Sequence, residues 1–283
     1  MPYARGEGAC LYFEDSGQGP PLVFAHEFAA DGRAWEEQVR SLSVKYRCII
    51  FNARGYPPSD VPHEAGLYSQ EIAADDIRAV LDAAAVTSAY VVGLSMGATA
   101  ALEFGLRHPR RTAGLIVAGA GSGSGAIDHA AFVQGVLHRA ERVRELGMAA
   151  VTESIEGARN RTQLKRKSPA AWQRFLAHLS QHNPLGAAMT LENVQAKRPV
   201  LGQMQPRLVH LQVPTLLMAG DEDEDVLEAQ FLLKRWLPNC GLRLLPRAGH
   251  AVNLEEPEEF NAAIDRFITE VEAGTWGFEP SVR

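Results

Sequence analysis

Cysteine is scarce in this sequence. Its 283 residues include three cysteines, Cys10, Cys48 and Cys240, which are far apart and odd in number. A disulfide framework needs cysteines in pairs, and a zinc site needs closely spaced ones. The sequence offers neither pattern, so we expect free thiols in a reducing compartment.

Positive charge and long apolar runs are also in short supply. The 28 Lys and Arg are outnumbered by 34 Asp and Glu, giving a net charge of -6 at pH 7, whereas nucleic-acid-binding proteins usually carry a basic face. No window approaches the roughly 18 uninterrupted apolar residues of a transmembrane helix. Residues 1–8 lack the charged start and apolar stretch of a secretory signal. We therefore expect a cytoplasmic protein with neither a nucleic-acid nor a membrane partner.

The sequence does contain an alternation of strand and helix patterns. Apolar stretches typical of buried strands lie at residues 9–14, 22–25, 48–52, 89–92 and 113–118. Between them, helical patterns cover residues 33–45 and a stretch from the N-cap residue Ser69 to about residue 85. This alternation predicts an α/β fold with a mostly parallel central sheet wrapped by helices.

The alternation stops between about residues 122 and 208. Nothing in this segment has a strand pattern. Helical patterns cover residues 127–146, 148–159 and 169–181. We therefore expect a core formed by residues 1–121 and 209–283, and a helical insertion formed by residues 122–208.

Two groups of side chains stand out in the insertion. We expect its apolar residues at helical spacing to be interior packing, and none is assigned to a binding pocket. These residues are Phe132, Val136, Leu137, Trp172, Phe175 and Leu176. We expect a basic group to form a solvated surface, with anion binding as the less favoured interpretation. This group comprises Arg159, Arg161, Lys165, Arg166 and Lys167.

A pentapeptide with a serine at its centre lies between a strand and a helix. Gly93-Leu94-Ser95-Met96-Gly97 follows the apolar run at 89–92 and precedes a helix-forming stretch at residues 98–104. In that context, G-x-S-x-G forms a sharp turn that projects the serine hydroxyl over the end of the strand. Ser95 is therefore a candidate nucleophile.

A serine hydroxyl is a weak nucleophile at neutral pH unless a base activates it. Two later segments supply candidate partners. A strand pattern at residues 214–219 opens into an acidic run with Asp221, Asp223 and Asp225, and His250 follows another apolar run. The order along the chain is thus serine, acid, histidine, with all three acids open as candidates.

On these motifs the chain resembles the α/β-hydrolase superfamily over about residues 11–271. That family has the same order of serine, acid and histidine. Residues 51–60 resemble its D-x-R-G-x-G-x-S segment, with Asn52 for the usual Asp. Residues 22–28 are similar to its H-G-x turn, with Glu27 where glycine is usual. The resemblance implies the α/β-hydrolase fold, with the insertion after the sixth strand as a helical cap over the serine.

The resemblance also implies a role for each candidate. Ser95 would attack an acyl carbon while His250 takes its proton and returns it to the leaving group. In the family, the acid commonly falls three residues after the glycine that ends its strand. This spacing favours Asp223, with Asp225 and then Asp221 as alternatives.

A developing oxyanion also needs hydrogen-bond donors. The implied donors are the backbone N–H groups of Met96 and Phe28. Because a carboxylate would oppose an oxyanion, we expect the Glu27 side chain to turn away from the pocket. We expect His26, which precedes it, to have a structural hydrogen-bonding role.

The implied activity is hydrolysis of a small to medium carboxylic ester, thioester or lactone, with a small-molecule substrate and without a metal or organic cofactor. A serine at the centre of the 93–97 turn disfavours epoxide hydrolases and haloalkane dehalogenases, which carry aspartate at that position. Ala251 stands where carbon–carbon bond hydrolases of aromatic ring-cleavage products often have tryptophan, so that activity is the alternative. A ligand sensor or a non-hydrolytic member of the fold is the other. Neither the fold nor the sequence identifies the substrate or the oligomeric state.

Overall fold

The computed structural model describes residues 2–123, 125 and 129–277. Within these residues the strands form one sheet with the order β1-β2-β4-β3-β5-β6-β7-β8. The strands are β1 Tyr3–Gly6, β2 Ala9–Ser16, β3 Pro21–Ala25, β4 Arg47–Phe51, β5 Ala89–Leu94, β6 Thr112–Ala118, β7 Thr215–Gly220 and β8 Cys240–Leu245. β2 is antiparallel to both of its neighbours, β1 and β4. The other six strands, β3 to β8, are all parallel to one another.

Helices cover both faces of the sheet and fill the segment between β6 and β7. They are α1 Glu36–Leu42, α2 Gln70–Ala83, α3 Met96–Arg107, α4 His129–Leu146, α5 Met148–Glu156, α6 Thr162–Lys167, α7 Pro169–Leu179, α8 Pro184–Thr190, α9 Leu201–Leu208, α10 Glu224–Trp236, α11 Val252–Glu255 and α12 Pro257–Glu272. Short 3₁₀ turns lie at Gly32–Trp35, Ala65–Leu67, Pro109–Arg111 and Arg159–Arg161, and a π-helical turn lies at Leu191–Gln195.

The apolar runs of the central strands are buried on both faces, as is typical of parallel sheets. All six residues of β5 and of β7 are buried. One apolar cluster packs α2, α3 and α10 on one face, and a second packs α1 and α12 on the other. Ser69 caps α2 by accepting a hydrogen bond from the Ile72 N–H at 3.1 Å. The prediction of a mostly parallel sheet wrapped by helices is confirmed.

Some element boundaries differ from the prediction. In place of the helix predicted over residues 33–45, the chain forms a 3₁₀ turn that is capped by Asp31 and begins at Gly32. α1 follows this turn and ends at Leu42. β1 was missed because it is a four-residue edge strand with two exposed side chains. Residues 127 and 128 of the first helix predicted in the insertion lie outside the described residues.

A helical insertion after the sixth strand is confirmed. Between β6 and β7 the described residues form α4 to α9 and no strand. Buried residues of α4 to α8 pack with Phe28 and Met96 in one apolar group, which we call the insertion cluster. Val136, Trp172 and Phe175 belong to it as interior residues. The expectation for Leu137 is wrong, since it is 41% exposed on the outer face of α4.

Among the described residues, no helix combines the length and the apolar character needed to cross a lipid bilayer.

Candidate active site

Ser95 lies in a strained turn between β5 and α3. It has φ 56° and ψ −111°, a region that non-glycine residues adopt at a cost of about 1–3 kcal/mol. The flanking glycines provide space: a Cβ on Gly97 would lie 2.0 Å from the Ala25 carbonyl oxygen, and one on Gly93 would lie 2.3 Å from the Gly97 oxygen. The start of α3 can therefore press against the end of β3, and the partly exposed Ser95 occupies the tip of the turn.

Asp223 and His250 meet at the ends of two neighbouring strands. Asp223 follows β7, His250 follows β8, and the His250 Nδ1 to Asp223 Oδ2 distance is 2.6 Å. Both residues are buried, whereas Asp221 and Asp225 are exposed. A Cβ on Gly220 would lie 2.1 Å from the Ala248 oxygen, so a glycine there lets the two loops approach. The structure thus brings His250 together with Asp223.

The end of β6 lies against both Ser95 and His250. The Ser95 N–H donates to the Ala118 carbonyl at 2.8 Å. A Cβ on the next residue, Gly119, would lie 3.5 Å from Cε1 of the His250 ring. Ser95, Asp223 and His250 therefore share one region at the carboxyl edge of the sheet.

The charges of this pair stabilise each other. Burial alone would lower the pKa of His250, but the charge of Asp223 and its hydrogen bond outweigh burial and raise that pKa. Burial would raise the pKa of Asp223, yet His250 and a hydrogen bond from Asn160 hold it below its usual value. An ionised Asp223 can therefore hold the imidazole in one tautomer and stabilise its protonated form.

The backbone N–H groups of Phe28 and Met96 are available at the same edge. Phe28 lies in the loop after β3, Met96 opens α3, and β3 pairs in parallel with β5. Both residues are buried. In the part of the chain that the structure describes, no backbone or side-chain acceptor takes either N–H. Two buried donors without protein acceptors can serve a developing negative charge.

Glu27 lies between His26 and Phe28 in the sequence. Its side chain is paired with an arginine of the insertion. Arg161 Nη1 donates to Glu27 Oε1 at 2.8 Å, and Nη2 donates to Oε2. Burial would raise the pKa of Glu27, but Arg161 holds it below the usual range. Both carboxylate oxygens are therefore engaged by a cation.

The expectation that Arg161 belongs to a solvated surface is wrong. Its exposed fraction is 3%, and its guanidinium lies 5.2 Å from the centre of the Phe175 ring. No sequence pattern indicates this burial, because the neutralising carboxylate is 134 positions away. Arg159, in the same basic group, has an exposed side chain.

His26 is a buried, neutral residue with a structural role, as expected. Burial lowers its pKa to about 4. Its Nδ1 lies 2.7 Å from the Glu27 carbonyl oxygen, and its Nε2 accepts from the Ala53 N–H at 3.0 Å. The ring therefore joins the loop after β3 to the loop after β4.

Two residues that sequence analysis missed support the loop of His250. The Asn160 carbonyl accepts the His250 N–H at 2.8 Å, and Asn160 Nδ2 donates to Asp223 Oδ1 at 3.1 Å. Glu255 accepts from the N–H groups of Gly249 and Ala251. Asn160 lies in the insertion, so no motif around the acid or the histidine could indicate it.

Comparisons with known proteins agree with this architecture. A family profile described as alpha/beta hydrolase fold matches residues 20–257. The chain is 26% identical over 248 residues to 3-oxoadipate enol-lactonase 2 of Acinetobacter baylyi, covering 87% of each chain. It is 27% identical over 281 residues to a putative carbamate hydrolase, RutD, of Azorhizobium caulinodans, covering 96% of this chain and 100% of the other.

Among solved structures, a thermophilic esterase from Thermogutta terrifontis matches with a TM-score of 0.80 and 26% identity, over 93% of this chain and 94% of the other. The profile match alone spans most of the sequence. The chain therefore belongs to the alpha/beta hydrolase family.

Proposed function

We propose that this protein is a serine hydrolase that cleaves a small to medium carboxylic ester, thioester or lactone through an acyl-enzyme on Ser95. The observation that carries the proposal is the buried 2.6 Å contact between His250 and Asp223 beside the strained turn of Ser95. Family membership supports hydrolase chemistry, and the relatives named as a lactonase and an esterase support the choice of an ester-like bond.

The proposed first step is attack of Ser95 Oγ on the substrate carbonyl carbon. His250 Nε2 takes the hydroxyl proton while Asp223 holds Nδ1–H. The carbonyl oxygen becomes an oxyanion that accepts hydrogen bonds from the Phe28 and Met96 N–H groups. When the intermediate collapses, the bond from carbonyl carbon to leaving oxygen or sulfur breaks, and His250 gives its proton to the leaving group.

The second step repeats this chemistry with water. His250 removes a proton from water while the water oxygen attacks the acyl carbon. The proton then passes from His250 to Ser95 Oγ as the carboxylic acid product leaves. Asn160 and the Glu27–Arg161 pair act as positioning residues. Asn160 hydrogen-bonds Asp223 and the His250 backbone, and Arg161 neutralises a carboxylate that would otherwise oppose the oxyanion.

The apolar character of the insertion cluster supports a modest acyl group. Its members in the insertion include Val136, Trp172 and Phe175, and it also contains Phe28 and Met96. Helices packed this closely over the two donors favour a small molecule over a polymer.

The proposal is tested with p-nitrophenyl esters of increasing acyl length. We expect Ser95→Ala to lower kcat/KM by about 10⁶-fold, and Asp223→Asn by about 10⁴-fold. Asp221→Asn, in the same turn but exposed, is the matched control and should retain the wild-type rate. Equal turnover by wild type and Ser95→Ala would remove the hydrolase proposal, and a burst followed by a stalled acyl-enzyme would favour a sensor.

A further inference from the structure

One buried arginine in the insertion has no anionic partner among the residues that the structure describes. Arg198 lies between the π-helical turn and α9, and its exposed fraction is 5%. Its Nη1 donates to the Ser122 carbonyl at 2.8 Å, and its guanidinium lies 5.7 Å from the centre of the Phe132 ring. Its Nε is buried and has no hydrogen-bond partner in the described part of the chain.

The other buried arginines are neutralised within the protein. Arg54 makes a bidentate contact with Asp76, and Arg161 does so with Glu27. Within residues 2–123, 125 and 129–277, no carboxylate lies within 4.0 Å of Arg198. Burial lowers the pKa of Arg198 to about 10, so it keeps its charge at neutral pH. An unpaired buried charge is destabilising by several kcal/mol, and the described residues supply no anion that would offset it.

Arg198 lies close enough to the candidate nucleophile for one substrate to reach both. Ser122 follows Gly119 by three residues, and Gly119 lies against the His250 ring. Three residues of extended chain span at most about 11 Å. Phe132, under the guanidinium, packs against the insertion cluster that contains Phe28 and Met96. The charge is therefore placed at the edge of the apolar region that covers the candidate oxyanion donors.

We propose that Arg198 binds an anionic group of the substrate, so that the protein hydrolyses an ester or lactone that also carries a carboxylate. This inference rests on the proposed hydrolase function and narrows its substrate class. A planar guanidinium offers two parallel N–H donors to a carboxylate. The Nε–H, left without an acceptor, and a neighbouring Nη supply such a pair while Nη1 remains on Ser122.

The test compares two substrates of equal length. One is the p-nitrophenyl monoester of adipic acid, which ends in a carboxylate, and the other is the p-nitrophenyl methyl diester, which is neutral. We expect Arg198→Met to lower kcat/KM for the anionic ester by about 10- to 100-fold, the loss of a charge-assisted contact. The neutral ester should change by less than about twofold. Lys197→Met removes the same net charge from the adjacent, more exposed residue and should leave both rates unchanged.

A binding measurement separates failure of this inference from failure of the hydrolase proposal. In Ser95→Ala, which cannot form the acyl-enzyme, monomethyl adipate should still raise the melting temperature, and the addition of Arg198→Met should abolish that rise. Inorganic phosphate at the same concentration distinguishes a substrate carboxylate from a free ion. Protection by phosphate alone would overturn the proposal.

Two further variants keep the test decisive. Arg198→Lys retains the charge without the two parallel donors and should recover only part of the anionic preference. Asp128 lies outside the described residues, and Asp128→Asn should leave the ratio of the two rates unchanged. A large rise in that ratio would mean that a carboxylate of the chain competes for Arg198. That result, or an equal rate ratio in wild type and Arg198→Met, would overturn the inference.

Discussion

Arg161 and Arg198 are two arginines of one insertion, with exposed fractions of 3% and 5%, and their surroundings differ completely. Arg161 meets both carboxylate oxygens of Glu27 and ties the insertion to the loop that carries a candidate oxyanion donor. Arg198 meets one backbone carbonyl and an aromatic ring. Two arginines of similar burial thus have different surroundings: Arg161 is neutralised within the protein, and the proposed partner of Arg198 is a ligand.

The largest effect on stability is expected from breaking the ion pair between Arg161 and Glu27. Arg161→Met leaves the Glu27 carboxylate buried and unpaired, so we expect the free energy of unfolding to fall by about 3–5 kcal/mol. The measurement is urea-induced unfolding at pH 7. Arg144→Met is the matched control, because Arg144 also contacts both oxygens of a carboxylate, Glu192, but both side chains of that pair are partly exposed. That control should lose about 1 kcal/mol or less, and equal losses in the two variants would contradict the account.

Removing both partners should restore much of what one substitution takes away. A buried ion pair replaced by uncharged residues of similar size is often neutral in stability. We therefore expect Glu27→Gln combined with Arg161→Met to be more stable than Arg161→Met alone, with a coupling of about 2 kcal/mol. Additive losses in a double-mutant cycle would show that Arg161 stabilises the fold through packing on Phe175 rather than through its charge.

The stability changes caused by Arg161→Met and Arg198→Met should depend differently on pH. In the wild type the pKa of Glu27 lies below its usual 4.5, so the stability from this pair is present above that pH and is lost as pH falls through the folded pKa. In Arg161→Met, burial without a cation raises the pKa of Glu27, so its destabilisation should shrink as pH falls from 7 towards 5.

The effect of Arg198→Met should stay constant over that range, since no carboxylate among the described residues titrates against it. His26 and His250 lie near Glu27 and also respond to pH. The double variant with Glu27→Gln and Arg161→Met measures the pH dependence that comes from these two histidines. Parallel pH profiles for Arg161→Met and Arg198→Met would refute the distinction.

The smallest effect, and one of opposite sign, is expected at Arg198. Arg198→Met removes an uncompensated buried charge, so the free energy of unfolding should stay level or rise by up to about 2 kcal/mol. Lys197→Met, next to it in the chain, should be neutral within about 0.5 kcal/mol. A loss of 3 kcal/mol or more in Arg198→Met would identify Arg198 as a structural residue, and the comparison with Arg161 would fail.

Motifs that are continuous in sequence were predictable, because local chain geometry imposes them. The turn of Ser95 needs glycines at positions 93 and 97, because neighbouring backbone lies close to both. The pentapeptide at residues 93–97 contains this requirement in full. The resemblance to the family favoured Asp223 through its spacing from the glycine that ends β7, with Asp225 and Asp221 left as alternatives. Alternating apolar runs likewise predicted the parallel sheet, since buried strands leave an apolar signature.

Features that depend on the packing of distant segments were not predictable. Arg161 and its partner Glu27 lie 134 positions apart, and a run of basic residues normally indicates a solvated surface. Asn160 contacts Asp223 and His250 from the insertion, where no sequence pattern marks it. Arg198 stands beside Lys197 in the sequence, and only the fold distinguishes the buried charge from its more exposed neighbour.

The most direct test of the account is the identity of the covalently modified residue. Incubation with a p-nitrophenyl alkylphosphonate, followed by mass spectrometry of the digested protein, should release one equivalent of p-nitrophenolate and place the phosphonyl group on the peptide containing Ser95. Asp223→Asn should slow this labelling and Ser95→Ala should abolish it. Full hydrolysis of p-nitrophenyl esters by a protein that carries no label on Ser95, or that lacks the serine altogether, would contradict the mechanism.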